Sequence, residues 1–191
     1  MLKKYLTAIR KVIFKGFSDY PVNYGHVSFK HHPRSRATLI HDHIIDAAKE
    51  TFSAFPEIHF IKGALRNLFD VEDKIVLQFK KLKRSLISSN YPTQLALAFQ
   101  LQESITGLPG ISPKLPRLTA GYVPSTDFTK IDGIYVTYAE GKKLKWFLDV
   151  TNEDDQVLPF QIPDTTTQNV PKKRTKPKKL DKPHADDAAN G

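Results

Sequence analysis

The sequence lacks cysteine entirely, and it has one methionine and one tryptophan among its 191 residues. Without cysteine the chain has no disulfide bonds, no zinc–thiolate sites and no cysteine nucleophile. It also lacks any apolar run near the roughly 20 residues that a membrane-spanning helix requires. The N-terminal segment carries Arg10, Lys11 and Lys15 within its apolar stretch, which is not typical of a secretory signal. We therefore expect a cytoplasmic protein that does not contact a membrane.

The composition is nevertheless that of a folded protein with a basic surface. Hydrophobic residues make up 40% of the chain, including 12 Phe and 7 Tyr, which is enough for a substantial core. The 29 Lys and Arg outnumber the 20 Asp and Glu, giving a formal net charge of +9. A positive excess of this size suggests an anionic partner such as nucleic acid, although a moderate excess is equally common in proteins that bind no anion.

The central stretch of the chain, residues 57–82, predicts a three-stranded meander. Short apolar runs rich in β-branched and aromatic residues are separated there by turn signals. In the third predicted strand the period of two places Ile75, Leu77 and Phe79 on one face. Val76, Gln78 and Lys80 then share the other face. A glutamine and a lysine in a strand that is otherwise apolar mark a candidate site, because burying polar groups costs free energy.

Helical patterns precede and follow this meander. Apolar residues recur at spacings of three and four over Leu2–Phe17 and again over Arg36–Phe55, and Ser18–Arg36 is predicted as a loop because it holds Pro21, Gly25 and Pro33. A third helix begins near Thr93, and three further strands follow it. The predicted fold class is α+β: helix, three-stranded meander, helix, then further antiparallel strands. We expect one domain over residues 1–163 and a disordered basic tail over residues 164–191.

This element order, with a lysine on the third meander strand, resembles the PD-(D/E)xK nuclease fold over about residues 36–123. Members of that family hold a divalent cation on a second-strand acid and a (D/E)xK triplet, whose lysine helps to activate the attacking water. Here the triplet positions are Gln78-Phe79-Lys80. The other matching positions are Asn67 or Asp70 for the second-strand acid, Asp46 or Glu50 on the preceding helix, and Gln94 on the following one.

The resemblance implies a possible restriction-endonuclease-like site with catalytic positions at Lys80, Gln78, Glu50, Asp70 and Gln94. Mg²⁺ would be the cofactor if the nuclease interpretation holds. Gln78 replaces an acid of the triplet, however, and a neutral amide oxygen is a poor substitute for a carboxylate on a cation. We therefore expect a catalytically degenerate site and favour a protein that is not an active enzyme. No histidine metal site is predicted, since His41 and His43 lie two apart on a helix and diverge.

Two groups of basic residues are candidates for phosphate contact. The first follows the third meander strand and comprises Lys81, Lys83 and Arg84, and the second lies in the tail and includes Lys172, Lys173 and Arg174. The sequence thus predicts a nucleic-acid-associated protein with a nuclease-like, degenerate site. The alternative is a non-enzymatic module that binds a protein partner, such as a regulatory or neutralising component of a bacterial defence or toxin–antitoxin system.

Overall fold

The structure is a computed structural model of the chain. It describes residues 2–63, 66–88, 93–103, 114–152 and 160–161. The predicted tail, with Lys172, Lys173 and Arg174, and the boundary predicted at residue 163 lie outside the described residues. So does the segment 89–92, where a loop before the third helix is expected.

Two helices form the N-terminal part of the described chain. A 3₁₀ turn, Leu2–Tyr5, leads into helix α1, Leu6–Tyr24, and helix α2 spans Pro33–Phe52 after a second 3₁₀ turn, Ser28–Lys30. Gly16 lets the helices approach closely, because a Cβ built there would lie 2.5 Å from the Ile44 backbone. The two helices therefore pack together as one layer.

The loop predicted for Ser18–Arg36 is wrong at both ends. Helix α1 continues through Pro21, and α2 already begins at Pro33. Proline inside a helix removes one backbone donor, but burial of Tyr20 on the same turn and its packing against Tyr24 favour the helical conformation. Proline at the first position of a helix costs nothing comparable, because the N–H of any other residue there would lack an intrahelical partner anyway.

The described strands form a mixed seven-stranded sheet in sequential order. The strands are β1 (Ile58–Gly63), β2 (Arg66–Val71), β3 (Ile75–Lys81), β4 (Arg117–Pro124), β5 (Ile131–Glu140), β6 (Lys143–Asp149) and β7 (Phe160–Gln161). Helix α3, Gln94–Gln100, lies in the connection between β3 and β4, which pair parallel; every other adjacent pair of described strands is antiparallel. A parallel pair needs such a crossover. The α+β fold class, with meander, helix and further antiparallel strands, is confirmed.

One face of the sheet, here called the apolar face, packs against α1 and α2. Ile75, Leu77 and Phe79 are buried there in one cluster with Ile44 and Phe52 of α2, as the alternation predicts. The opposite face, here called the polar face, has a smaller apolar cluster of its own. In that cluster Phe99 of α3 packs on Leu68 and Val76. The sheet therefore carries helices on both sides, with most of its apolar burial on one.

An ionic staple holds the N-terminus against the meander. Lys4 Nζ lies 3.0 Å from Glu57 Oε1 and 2.7 Å from Glu72 Oε1, while the Tyr5 hydroxyl is within 2.9 Å of both carboxylates. Hydrogen bonds from Lys4 hold the pKa of Glu57 and of Glu72 at about 2. Three residues, Glu72 to Lys74, connect β2 to β3. Glu72 and Asp73 have positive φ of 58° and 53°, as at the central positions of a type I′ turn, and the Lys74 amide donates to the Val71 carbonyl at 3.1 Å. The staple thus fixes a turn that contains no glycine.

Candidate functional site

The polar face carries a row of hydrogen-bonded side chains across its central strands. Gln78 of β3 donates from Nε2 to Thr119 Oγ1 of β4 at 2.9 Å, and Thr137 Oγ1 of β5 lies 3.4 Å from the Thr119 carbonyl oxygen. All three residues are buried, and Gln78 is 2% exposed. The sequence singled out Gln78, but Thr119 and Thr137 sit in strands that show no unusual pattern.

Asp70 of β2 lies on the same face as Gln78. Asp70 pairs across the sheet with Val76, which places it diagonally next to Gln78. It is 3% exposed, and its Oδ1 has no hydrogen-bond partner among the described residues. Burial raises the pKa of Asp70, and the nearby Asp73 adds to this effect. The structure therefore brings together two of the predicted catalytic positions, whereas alternation along β2 places Asn67 on the apolar face.

Lys80 ends the predicted triplet near the carboxyl end of β3 and is half-buried. Burial lowers the pKa of His41 on α2, and the positive charge of Lys80 lowers it further, to about 4. Lys80 is thus coupled electrostatically to the helical layer, while Gln78 is hydrogen-bonded within the sheet.

The remaining predicted catalytic positions lie elsewhere. Glu50 is exposed on α2, where it forms an ion pair with Lys15 of α1. Gln94 is the exposed first residue of α3, next to Thr93, whose Oγ1 accepts a hydrogen bond from the Ala96 amide at 3.2 Å. Glu50 therefore belongs to the helical layer that covers the apolar face, and it does not join Asp70 and Gln78 on the polar face.

A small cavity lies beside this row and is lined in part by Phe99 and Gln100 of α3. Gln102 spans the start of β4 and the end of β5, since its Nε2 donates to the carbonyls of Arg117 and Ala139 at 3.0 and 3.1 Å. Its Oε1 accepts from the Arg117 amide at 2.9 Å. The remaining cavity measures about 20 Å³, which is room for one or two water molecules. Nothing in the sequence pattern marks Gln102.

These residues do not fit a catalytic Mg²⁺ ion. Magnesium requires hard oxygen ligands, in proteins usually from one or two carboxylates. Asp70 is the carboxylate that the polar face offers near Gln78, whose amide nitrogen is engaged with Thr119. Within the described ranges no group of three or more His, Cys, Asp or Glu is placed to hold a metal ion. We therefore derive no metal-dependent step for this chain.

A second candidate surface lies where β3 and β4 end, and we call it the basic end. It comprises Lys81 at the end of β3, Lys83 and Arg84 just after it, Lys130 in the β4–β5 turn, and Arg36 at the start of α2. Lys83 and Arg84 are exposed in a tight turn, in which the Leu86 amide donates to the Lys83 carbonyl at 2.9 Å. Neither forms an ion pair with a described residue.

The other members of the basic end are held by contacts with the β4–β5 turn. Lys81 Nζ lies 4.9 Å from the centroid of the Phe128 ring, and Arg36 donates to the Asp127 carbonyl at 3.4 Å. Hydrogen bonds from Ser125 and Thr129 hold the pKa of Asp127 at about 2, so its carboxylate is already bonded within the turn. The cationic side chains therefore keep their charge available to an external anion.

Comparison with protein-family models, with curated proteins and with solved structures found no match to this chain. Among the described helices, none combines the length and the apolar character needed to cross a membrane. The features of this chain that bear on function are therefore the geometry of the polar face and the charge of the basic end.

Proposed function

We propose that this protein binds nucleic acid through the basic end and leaves it uncut. In this proposal the scaffold is nuclease-like, and its polar face retains the positions of a catalytic site without the carboxylates that would hold a cation. Binding then depends on phosphate contacts, which supply affinity without reading sequence. The protein would then act by covering the bound nucleic acid or by holding it, without cutting it.

The observation that carries this proposal is the unneutralised charge of the basic end. Lys83 and Arg84 are both exposed, and no described carboxylate pairs with them. By contrast, several lysines elsewhere on the described surface are paired with an acid, as Lys4 is with Glu57 and Glu72. Like charges left together on one exposed surface favour an anionic ligand.

The scaffold part of the proposal is supported by the order of the elements. A helix, a three-stranded meander, a crossover helix and a strand parallel to β3 follow one another, and the resemblance to PD-(D/E)xK nucleases implies that order of helix, meander, helix and strand. The Gln78-Phe79-Lys80 triplet lies on β3, with Asp70 diagonally adjacent to Gln78. The neutral amide at Gln78 argues against catalysis.

The proposal is tested by measuring how affinity depends on salt. Full-length protein is titrated with a labelled oligonucleotide at a series of salt concentrations, and the logarithm of the association constant is plotted against that of salt. We expect a steep negative slope, because each neutralised phosphate releases condensed counterions. Lys83→Ala combined with Arg84→Ala should reduce the slope by about two units, roughly one for each lost contact.

The matched control removes the same charge from the opposite end of β4. Lys114 precedes that strand, and Lys142 lies in the β5–β6 turn; both are exposed. Lys114→Ala with Lys142→Ala should leave the slope close to that of the wild type. Equal effects of both double variants would assign binding to overall charge rather than to the basic end. A wild-type protein that shows no salt-sensitive binding would refute the nucleic-acid proposal and favour a protein partner.

A further inference from the structure

An exposed aromatic ring stands close to the basic end. Phe29 lies in the 3₁₀ turn Ser28–Lys30 and is 72% exposed. Lys30 Nζ lies 5.5 Å from the centroid of its ring, which brings a cation to the ring without burying it. Single exposed apolar residues are common on protein surfaces. The ordered turn that carries Phe29 and the cations near it distinguish this ring from such residues.

The turn that carries Phe29 is held at several points. Ser28 Oγ donates to the Gly25 carbonyl at 3.0 Å, and the His31 amide donates to the Ser28 carbonyl at 3.1 Å. The His31 ring is fixed in turn, since its Nδ1 lies 2.9 Å from the buried Tyr20 hydroxyl. The ring of Phe29 is thus presented from an ordered segment, which reduces the entropy that a ligand must offset on binding.

Arg36 joins this turn to the basic end. Its Nε donates to the His31 carbonyl at 3.1 Å, and its Nη1 donates to the Asp127 carbonyl at 3.4 Å. The residue after Asp127 is Phe128, whose ring lies under the ammonium of Lys81. An unbroken series of contacts therefore runs from the Phe29 turn to the cations after β3.

The charge along this series is positive. Lys30 and Arg34 are exposed beside Phe29, and Arg36 and Lys81 follow toward β3. The acid along it is Asp127, whose carboxylate is bonded to Ser125 and Thr129. A basic path with an exposed aromatic ring at one end is the arrangement with which proteins bind single strands, where phosphates follow the charge and bases stack on rings.

We propose that Phe29 is a stacking platform for an unpaired base of a single-stranded nucleic acid whose phosphates lie along the basic end. This inference rests on the proposed function and adds the class of ligand. A base in a duplex has both faces covered by its neighbours, so the ring can take up a base only where the strand is unpaired. Stacking is tolerant of sequence because every base has a π face.

The test compares one single strand with the duplex of the same sequence and length. Full-length wild type and Phe29→Ala are titrated with each over the same series of salt concentrations, and the affinities are compared at the lowest one. We expect Phe29→Ala to weaken binding of the single strand about five- to a hundredfold, the loss expected for one stacked base. Duplex binding should change less than twofold, and the salt slope should stay that of the wild type because no phosphate contact is removed.

Two further variants make the result specific to stacking. Phe29→Trp keeps a π face and should bind the single strand at least as well as the wild type. Val22→Ala removes a comparably exposed apolar side chain from α1 and should change neither affinity. Because Phe29 is exposed, its variants should melt at the wild-type temperature, so a loss of binding would not reflect unfolding.

The possible failures are distinguishable. If binding is salt-sensitive but Phe29→Ala leaves it unchanged, or weakens it equally for the single strand and the duplex, the stacking proposal is refuted. Phosphate binding at the basic end is then still supported. A wild-type protein that binds neither oligonucleotide would overturn both proposals. Selective weakening of the single strand by Phe29→Ala, with recovery in Phe29→Trp, would support the platform.

Discussion

The two faces of the sheet differ in what they bury. The apolar face buries Leu77, Phe79 and their neighbours against α1 and α2. Of the six described polar or charged residues that are buried, five are on the polar face: Asp70, Gln78, Arg117, Thr119 and Thr137. A strand such as β3, buried over Ile75–Phe79, therefore contributes stability through one side and polar chemistry through the other.

This difference shows that the main stabilising contacts and the buried polar side chains lie on opposite faces of the sheet. Burial of apolar area is the main stabilising contribution to folding, whereas a buried hydrogen-bonded pair adds little beyond avoiding the cost of leaving its groups unpaired. The Gln78–Thr119 pair thus has little value as a source of stability. The apolar face is therefore the core, and the polar face carries the buried polar side chains.

The largest expected effect is a loss of stability when a core side chain on the apolar face is truncated. Leu77→Ala should reduce the free energy of unfolding by about 2–5 kcal/mol, because it removes a buried side chain and leaves a cavity against α2. The measurement is equilibrium unfolding in urea, with Leu97→Ala as the control because Leu97 is 38% exposed on α3. A Leu77→Ala loss below that of Leu97→Ala would contradict the assignment of the core.

A smaller effect is expected on the polar face. Gln78→Leu leaves the buried Thr119 hydroxyl without its partner and should cost about 1–3 kcal/mol. Adding Thr119→Val removes both members of the pair, so the double variant should be more stable than the sum of the single changes implies. The coupling from the double-mutant cycle in urea should be about 0.5–3 kcal/mol. A coupling of zero would show that the two side chains act independently.

The smallest effect concerns the staple and depends on pH. The pKa of Glu57 and of Glu72 is about 2 in the folded protein, against 4.5 for an unperturbed glutamate. The unfolded chain therefore binds more protons between these values, and the stabilisation, complete above about pH 4.5, should be lost as pH falls toward 2. Melting temperatures across this range should drop less steeply in Lys4→Met. An identical drop in that variant would exclude the staple as the cause.

Much of the fold follows from local pattern in the sequence. The alternation of Ile75, Leu77 and Phe79 predicts the buried face of β3, and the apolar spacing along α2 predicts its stripe. Turn signals in Ser18–Arg36 were misleading because tertiary packing of Tyr20 outweighs the local effect of Pro21. The local sequence favours an end of α1 near Pro21, and only the tertiary packing of Tyr20 reverses that preference.

The candidate site could be predicted in part. Gln78 and Lys80 stand out as polar residues in an apolar strand, and Lys83 and Arg84 as unbalanced charge. Pairing between distant strands decides the rest. Thr119 meets Gln78 because β4 lies parallel to β3, and Gln102 can bridge Arg117 and Ala139 because β4 and β5 are adjacent there. Such partners depend on long-range register, which no window of sequence contains.

The most direct test of the account is the fate of a bound oligonucleotide in the presence of a divalent cation. Full-length protein is saturated with a labelled single strand at low salt, Mn²⁺ or Mg²⁺ is added, and the strand is followed on a denaturing gel. The account predicts a strand that is bound and stays intact, because the polar face offers Asp70 without a second carboxylate in place of Gln78. Metal-dependent cleavage that Asp70→Asn or Lys80→Ala abolishes would contradict it.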